Sequence, residues 1–258
     1  IKAYIEILEK TKDLDKVQIQ DELRKKGVYT GRSYDGSLST IGVRFSQMCF
    51  YMFGYKSSKD IFIPTQSTIN LLRNVNAINK NMLVNLFSIQ YPHPYSDTSS
   101  DFKIYAGRLI VKLLTEEKIG QKLYADEFAW FLIFLRKIDE SSYSDLVDSI
   151  LEYRNLTYIE KLNLFNEFNH EDLFGNAFHE VNYYFFRIFE GFGVFEMVRD
   201  PNHNNGQLFS FNQGKDGTLR NDSIITRKKV TGYIKLTASL LDSAKDLVDN
   251  FSPFDTPT

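Results

Sequence analysis

Few side chains in this sequence have the type and spacing to do chemistry. The four histidines are His93, His170, His179 and His203. None stands four residues from another, so no helix face offers the paired imidazoles of a zinc site. The single cysteine, Cys49, rules out an internal disulfide framework and any multi-thiolate metal centre. It adjoins an apolar helical stripe and reads as a small core hydrophobe. Gly191-Phe-Gly193 is a helix end rather than a phosphate-cradling loop. Two carboxylate–x–lysine triplets, Asp101-Phe-Lys103 and Glu116-Glu-Lys118, have the spacing with which Mg2+-dependent nucleases hold a metal beside a cation. Neither has an upstream Pro-Asp, a dipeptide absent from the sequence. Neither lies on a convincing strand pair, and such triplets arise by chance where a quarter of the residues are charged. The expectation is therefore no catalytic residue, no metal ligand and no cofactor in this chain.

What remains is polar and basic surface. The net charge of −2 conceals an asymmetry: residues 1–80 carry net +5, 81–138 net +1, 139–200 net −9, 201–235 net +4 and 236–258 net −3. Two basic zones flank an acidic middle. A nucleic-acid footprint is a local property, so a near-neutral total does not exclude one. The 258 residues are 43% apolar, enough for packed cores and against disorder. No apolar run reaches the ~18 residues of a membrane span, and no signal peptide is evident. With one cysteine, the expected compartment is the reducing cytoplasm, with no membrane partner. The sequence opens on Ile1, and we read it as a piece of a longer protein.

The elements that must position these residues follow from periodicity. Short helices are predicted over 2–10 and from Asp13 or Asp15 to Lys26, with Gly27 as the stop. A third runs from a cap at Asp35 or Ser37, with apolar positions Leu38, Ile41, Phe45, Met48 and Met52 and an opposite polar stripe Ser37, Thr40, Arg44, Gln47 and Tyr51. A strand pair ending at Pro64 and a helix capped by Thr65 come next. Helices are then predicted over 81–89, 105–114, 124–138, 145–153 and 158–168. The stretch 176–192 reads as a helix with Asn176, His179, Tyr183 and Arg187 on its polar side. It is followed by a strand at 194–199, a loop closing on Asn205-Gly206, a returning strand at 208–211 and a last helix over 236–251 facing inward through Leu240, Ala244, Leu247 and Phe251. Helices followed by a hairpin, twice, predict a mainly α fold of two winged-helix-like subdomains, 1–80 and 171–258. A helical connecting region, 81–170, joins them, and the wings are short β-hairpins.

Several stretches carry a resemblance. They are Leu-Val-Asn-Leu-Phe-Ser-Ile-Gln-Tyr-Pro-His-Pro (83–94), Phe-Lys-Ile (102–104), Leu-Ile-Val-Lys-Leu-Leu-Thr-Glu (109–116), and Tyr-Ala-Asp-Glu-Phe-Ala-Trp-Phe (124–131). With Tyr-Tyr-Phe-Phe-Arg-Ile-Phe-Glu-Gly-Phe-Gly-Val (183–194) and Tyr-Ile-Lys-Leu (233–236), this pattern resembles the DNA-recognition region of FokI/AlwI-like type II restriction endonucleases and related nicking enzymes. The resemblance implies a recognition module of winged-helix subdomains. The Mg2+-dependent nuclease domain would then lie outside this chain, and dimerisation, if it occurs, would run through that domain. The expected partner is double-stranded DNA. Base edges would be read by Ser37, Thr40, Arg44 and Gln47, since Arg and Gln make bidentate contacts to guanine and adenine. A second set would be Asn176, His179, Tyr183 and Arg187. Phosphates would be held by Arg32, Lys56, Lys59, Arg227, Lys228 and Lys229. A competing reading, favoured by the acidic middle, is a winged-helix protein-interaction or scaffold module without nucleic-acid affinity.

Overall fold

The computed structural model describes residues 3–4, 6–7, 16–28, 39–57, 61–74, 77–93, 101–168, 186–200, 207–208 and 232–257. Helices dominate them, as expected. In chain order they are α1 (Lys16–Lys25), α2 (Ser39–Phe50), α3 (Gln66–Arg73), α4 (Ile78–Phe87), α5 (Ala106–Thr115), a one-turn α6 (Ala125–Glu127), α7 (Glu140–Asn155), α8 (Tyr158–Phe168), α9 (Arg187–Gly191) and α10 (Leu241–Asn250). Among the described residues the sheets are small and antiparallel. One pairs β1 (Gly54–Lys56) with β2 (Phe62–Pro64), Tyr55 opposite Ile63. The other orders β3 (Leu123–Tyr124), β5 (Gly232–Leu236) and β4 (Phe195–Arg199) with β5 in the centre. None of the described helices is long and apolar enough to cross a membrane.

Helix ends explain much of the path. α1 stops where Gly27 adopts φ +68, letting Val28 N–H reach the Leu23 carbonyl at 3.1 Å and Gly27 N–H the Arg24 carbonyl at 2.8 Å. That paired closure requires a left-handed residue. α2 ends in the same way, with Phe53 N–H on Met48 O and Met52 N–H on Cys49 O, both 3.0 Å. Here the left-handed residue is Met52, φ 60, at a cost of about 1–2 kcal/mol relative to the right-handed region. The expectation that Met52 extends the apolar stripe is therefore corrected: the chain must turn there to enter β1. The Thr65 cap is as predicted, its side-chain oxygen accepting Thr68 N–H at 3.2 Å.

One apolar core runs from Tyr4, Ile41 and Phe45 through the α4–α5 pair to Leu240 and Ala244. Tyr4, Phe45 and Phe62 form a ring cluster that seats the hairpin on α2. Cys49 is fully buried within this core. Tyr51 meets Phe189 edge-on at 6.0 Å and Phe53 meets Phe192 at 6.1 Å, so the α2–hairpin unit packs against α9. α10 lies on α5.

Three further expectations change. The predicted helix over 124–138 is one α-turn followed by a π-helical turn, Phe128–Leu132. Its apolar side chains serve different neighbours: Phe128 meets Phe186, Trp130 meets Tyr153 and Phe165, and Phe131 meets Tyr153. Beyond it the chain is non-helical and Arg136 O accepts Lys103 N–H at 2.7 Å. β4 finds its described partner in Gly232–Leu236; of the predicted returning strand at 208–211 only Leu208 is described, outside any strand, and 209–211 lie outside the described residues. Phe251, expected inside, is 50% exposed because α10 ends before it.

His93 ties the 91–93 segment to the end of α2. It is 3% exposed, stacks on Phe50 with centroids 4.4 Å apart, and places Nε2 3.0 Å from the Phe50 carbonyl. Burial holds its protonation below the ordinary histidine value of 6.5, against the smaller opposing pull of that carbonyl. The unfolded chain therefore takes up the proton first as pH falls. The stability that neutral His93 supplies is full above 6.5 and is lost as pH drops through the folded value. Urea midpoints should fall between neutral pH and about pH 5, and His93→Gln should flatten that part of the profile; an unchanged slope would remove His93 from the account.

Candidate nucleic-acid interface

The predicted base-reading and phosphate-binding residues are only partly within the described structure. Thr40 and Arg44 lie on α2 and Arg187 begins α9. Gln47, on α2, and Lys56, on β1, are partly buried. Arg32, Ser37, Lys59, Asn176, His179, Tyr183, Arg227, Lys228 and Lys229 lie outside the described residues. The last member of the polar stripe is corrected. Tyr51 is 5% exposed, its ring against Phe189, and its carbonyl accepts the Asn85 amide at 3.2 Å. The stripe available to a partner thus stops at Gln47. The structure brings Gln47 and Lys56 into one unit because Phe45, two residues before Gln47 on α2, and Phe62, opposite Lys56, share the Tyr4 ring cluster.

Elsewhere in the core sits an ionic hub that sequence reasoning did not assign. Asp126, Glu127 and Lys161 are each 1% exposed. Arg154 meets Glu127 with Nε at 2.6 Å and Nη2 at 2.9 Å, and donates through Nη1 to Ile119 O at 2.6 Å and through Nη2 to Lys122 O at 2.9 Å. Glu127 also accepts Tyr124 N–H at 3.0 Å. Burial still raises the Glu127 carboxyl above its ordinary range, with Arg154 opposing; burial lowers Lys161, opposed by Asp126 and Glu127. Asp126 accepts Tyr153 O–H at 3.1 Å and Leu208 N–H at 2.9 Å, while Tyr124 O–H donates to Asp200 at 2.9 Å. Residues 200 and 208 are thereby fixed on the same three-residue stretch, 124–126. The sequence signal was the Asp126-Glu127 pair at the head of an apolar run, since carboxylates enter an interior only with partners.

The two carboxylate–x–lysine triplets have other engagements. Asp101 pairs with Arg136 at 2.9 Å, both exposed. Glu116 accepts Tyr143 O–H at 3.3 Å and Lys118 N–H at 3.2 Å. Among the described residues no three His, Cys, Asp or Glu side chains converge to hold a metal ion.

Residues 2–251 match the family model of the type II restriction endonuclease HgaI, N-terminal domain. The type II restriction enzyme HgaI of Avibacterium volantium is 30% identical over 253 residues, covering 94% of this chain and 50% of that protein. The chain thus spans about half the length of this curated relative. No solved structure matches. With nearly the whole chain inside one family model, the chain belongs to the family of the type II restriction endonuclease HgaI N-terminal domain.

Proposed function

We propose that this chain is the sequence-specific, double-stranded DNA recognition module of a type II restriction endonuclease, organised as in FokI/AlwI-like enzymes. Two winged-helix-like subdomains would read the DNA, and a Mg2+-dependent nuclease domain would sit elsewhere in the protein. The observation that carries the reading is the family match over residues 2–251. The basic zones at 1–80 and 201–235 support it, because phosphate neutralisation supplies the sequence-independent part of DNA affinity. α2 followed directly by the β1–β2 hairpin supports it too, being the order in which a winged helix presents a reading helix beside a wing.

Arg44 gives the test. It lies mid-helix on α2, and no acidic residue occurs between positions 38 and 54 to neutralise it. Arg44→Ala should cost about 1–3 kcal/mol on a selected duplex and relax specificity at one base pair. Arg227→Ala should weaken selected and scrambled duplexes alike, because a phosphate contact carries no base information. Affinities of both variants at one salt concentration decide it. An unchanged selected-to-scrambled ratio in Arg44→Ala would move the reading element to Asn176, His179, Tyr183 and Arg187.

A further inference from the structure

We infer that the Tyr233–Lys235 face of the β3–β5–β4 sheet is a DNA-backbone contact in which the Lys122 ammonium, held over the Tyr124 and Tyr233 rings, takes a phosphate. The inference rests on the reading that this chain binds duplex DNA.

Alternation builds the face. Ile234 and Leu236 of β5 are buried, so Tyr233 and Lys235 point the other way. Tyr233 stands opposite both Tyr124 of β3, which is 3% exposed, and Val198 of β4, so the face opens to solvent on the Tyr233–Lys235 side and not at Tyr124. Lys235 stands opposite Glu196 and pairs with it at 3.1 Å. Lys122 precedes β3 by one residue and leans across this face. Its Nζ is 4.8 Å from the Tyr233 centroid and 5.3 Å from that of Tyr124. The two rings meet edge-on at 5.6 Å.

Lys122 differs from the other cation of the face in its charge balance. Lys235 is neutralised by Glu196. Among the described residues no carboxylate comes within ion-pair distance of Lys122. Asp200 is near and accepts the Tyr124 hydroxyl, but it makes no ion pair with Lys122. The Lys122 backbone is also fixed, since its carbonyl accepts Arg154 Nη2 from the buried pair with Glu127. A long side chain anchored at its backbone and held at its head by two rings has given up its freedom in advance, which favours binding. A cation with no counter-charge among the described residues suits an anionic partner. The sequence leading into β5 makes that partner an extended polyanion: Arg227, Lys228 and Lys229 come just before Gly232, and residues 201–235 carry net +4.

The experiment is a salt series of fluorescence anisotropy with a labelled duplex of scrambled sequence. Scrambled DNA suffices because a phosphate contact is blind to sequence. Lys122→Gln should weaken binding on every sequence alike and reduce the slope of log affinity against log salt by about 1, while Lys122→Arg keeps the slope. Tyr233→Leu should keep the slope but bind about two- to fivefold more weakly, through loss of the ring that holds the ammonium. Thermal unfolding of each variant separates binding from folding, and the arginine variant keeps the test valid if the glutamine one unfolds. Wild-type slope and affinity in folded Lys122→Gln would overturn the inference while leaving DNA recognition in place. No salt-dependent DNA binding by the unaltered protein would overturn both.

Discussion

Arg154→Met should lower the free energy of unfolding by about 3–5 kcal/mol, the usual cost of removing one partner of a buried ion pair. The substitution keeps most of the side-chain volume, so packing is not the main loss. It deletes both hydrogen bonds to Glu127 and leaves that carboxylate, 1% exposed, without its bidentate cation. It also strips the donor from the carbonyls of Ile119 and Lys122, which close the turn between α5 and β3. Burial already raises the Glu127 carboxyl with Arg154 present; without Arg154 it should protonate on folding, making stability fall as pH rises. Glu127→Leu with Arg154→Met should recover much of the loss, because a buried pair replaced as a unit is often near neutral. Urea unfolding of both variants measures this. A loss under about 1 kcal/mol for Arg154→Met would mean the hub is far wetter than its burial indicates.

Gly107→Ala should cost about 3 kcal/mol, at the upper end of overpacking losses. Helix propensity argues the other way: in an α-helix interior alanine is better than glycine by about 1 kcal/mol. The contact decides. Gly107 lies in the first turn of α5 where it crosses α4, and a Cβ there would fall 2.7 Å from the Leu86 carbonyl carbon and closer still to its oxygen. The obstruction is backbone, which cannot rotate away. Gly107 N–H also donates to Ile89 O at 3.1 Å, so separating the helices would strain that bond. The α4–α5 pair lies at the centre of the core, so the loss should appear as a lower urea midpoint with a cooperative transition. Wild-type stability would show that propensity outweighs the crossing.

Local signals carried most of the helical fold. Gly27 as a stop, Thr65 as a cap and the periodicities over 105–114 and 158–168 are decided by neighbours in sequence, and each recurs in the structure. The failures come where distant residues decide. Nothing local marks Met52 as left-handed; the need to enter β1 does. The stretch 128–135 within the predicted 124–138 helix is apolar all round, so its period cannot tell one straight helix from a π-turn that hands successive rings to different neighbours. β4 could not be assigned its described partner because β5 lies more than 30 residues further on. For the candidate site, helical spacing grouped Thr40, Arg44 and Gln47, but it also admitted Tyr51, which Phe189 covers from a distant helix. The hub and Lys122 were invisible for the same reason: Arg154 and Tyr233 reach them from far along the sequence.

The central claim is that this chain reads duplex DNA. The most direct test selects bound sequences from a randomised duplex library, then measures affinity for the selected and a scrambled duplex at one fixed salt concentration. The account predicts a single enriched motif bound at least about 10³-fold more tightly than scrambled DNA, the low end for specific binders, with affinity falling steeply as salt rises. Equal affinity for the two duplexes, or no binding to either, would contradict it.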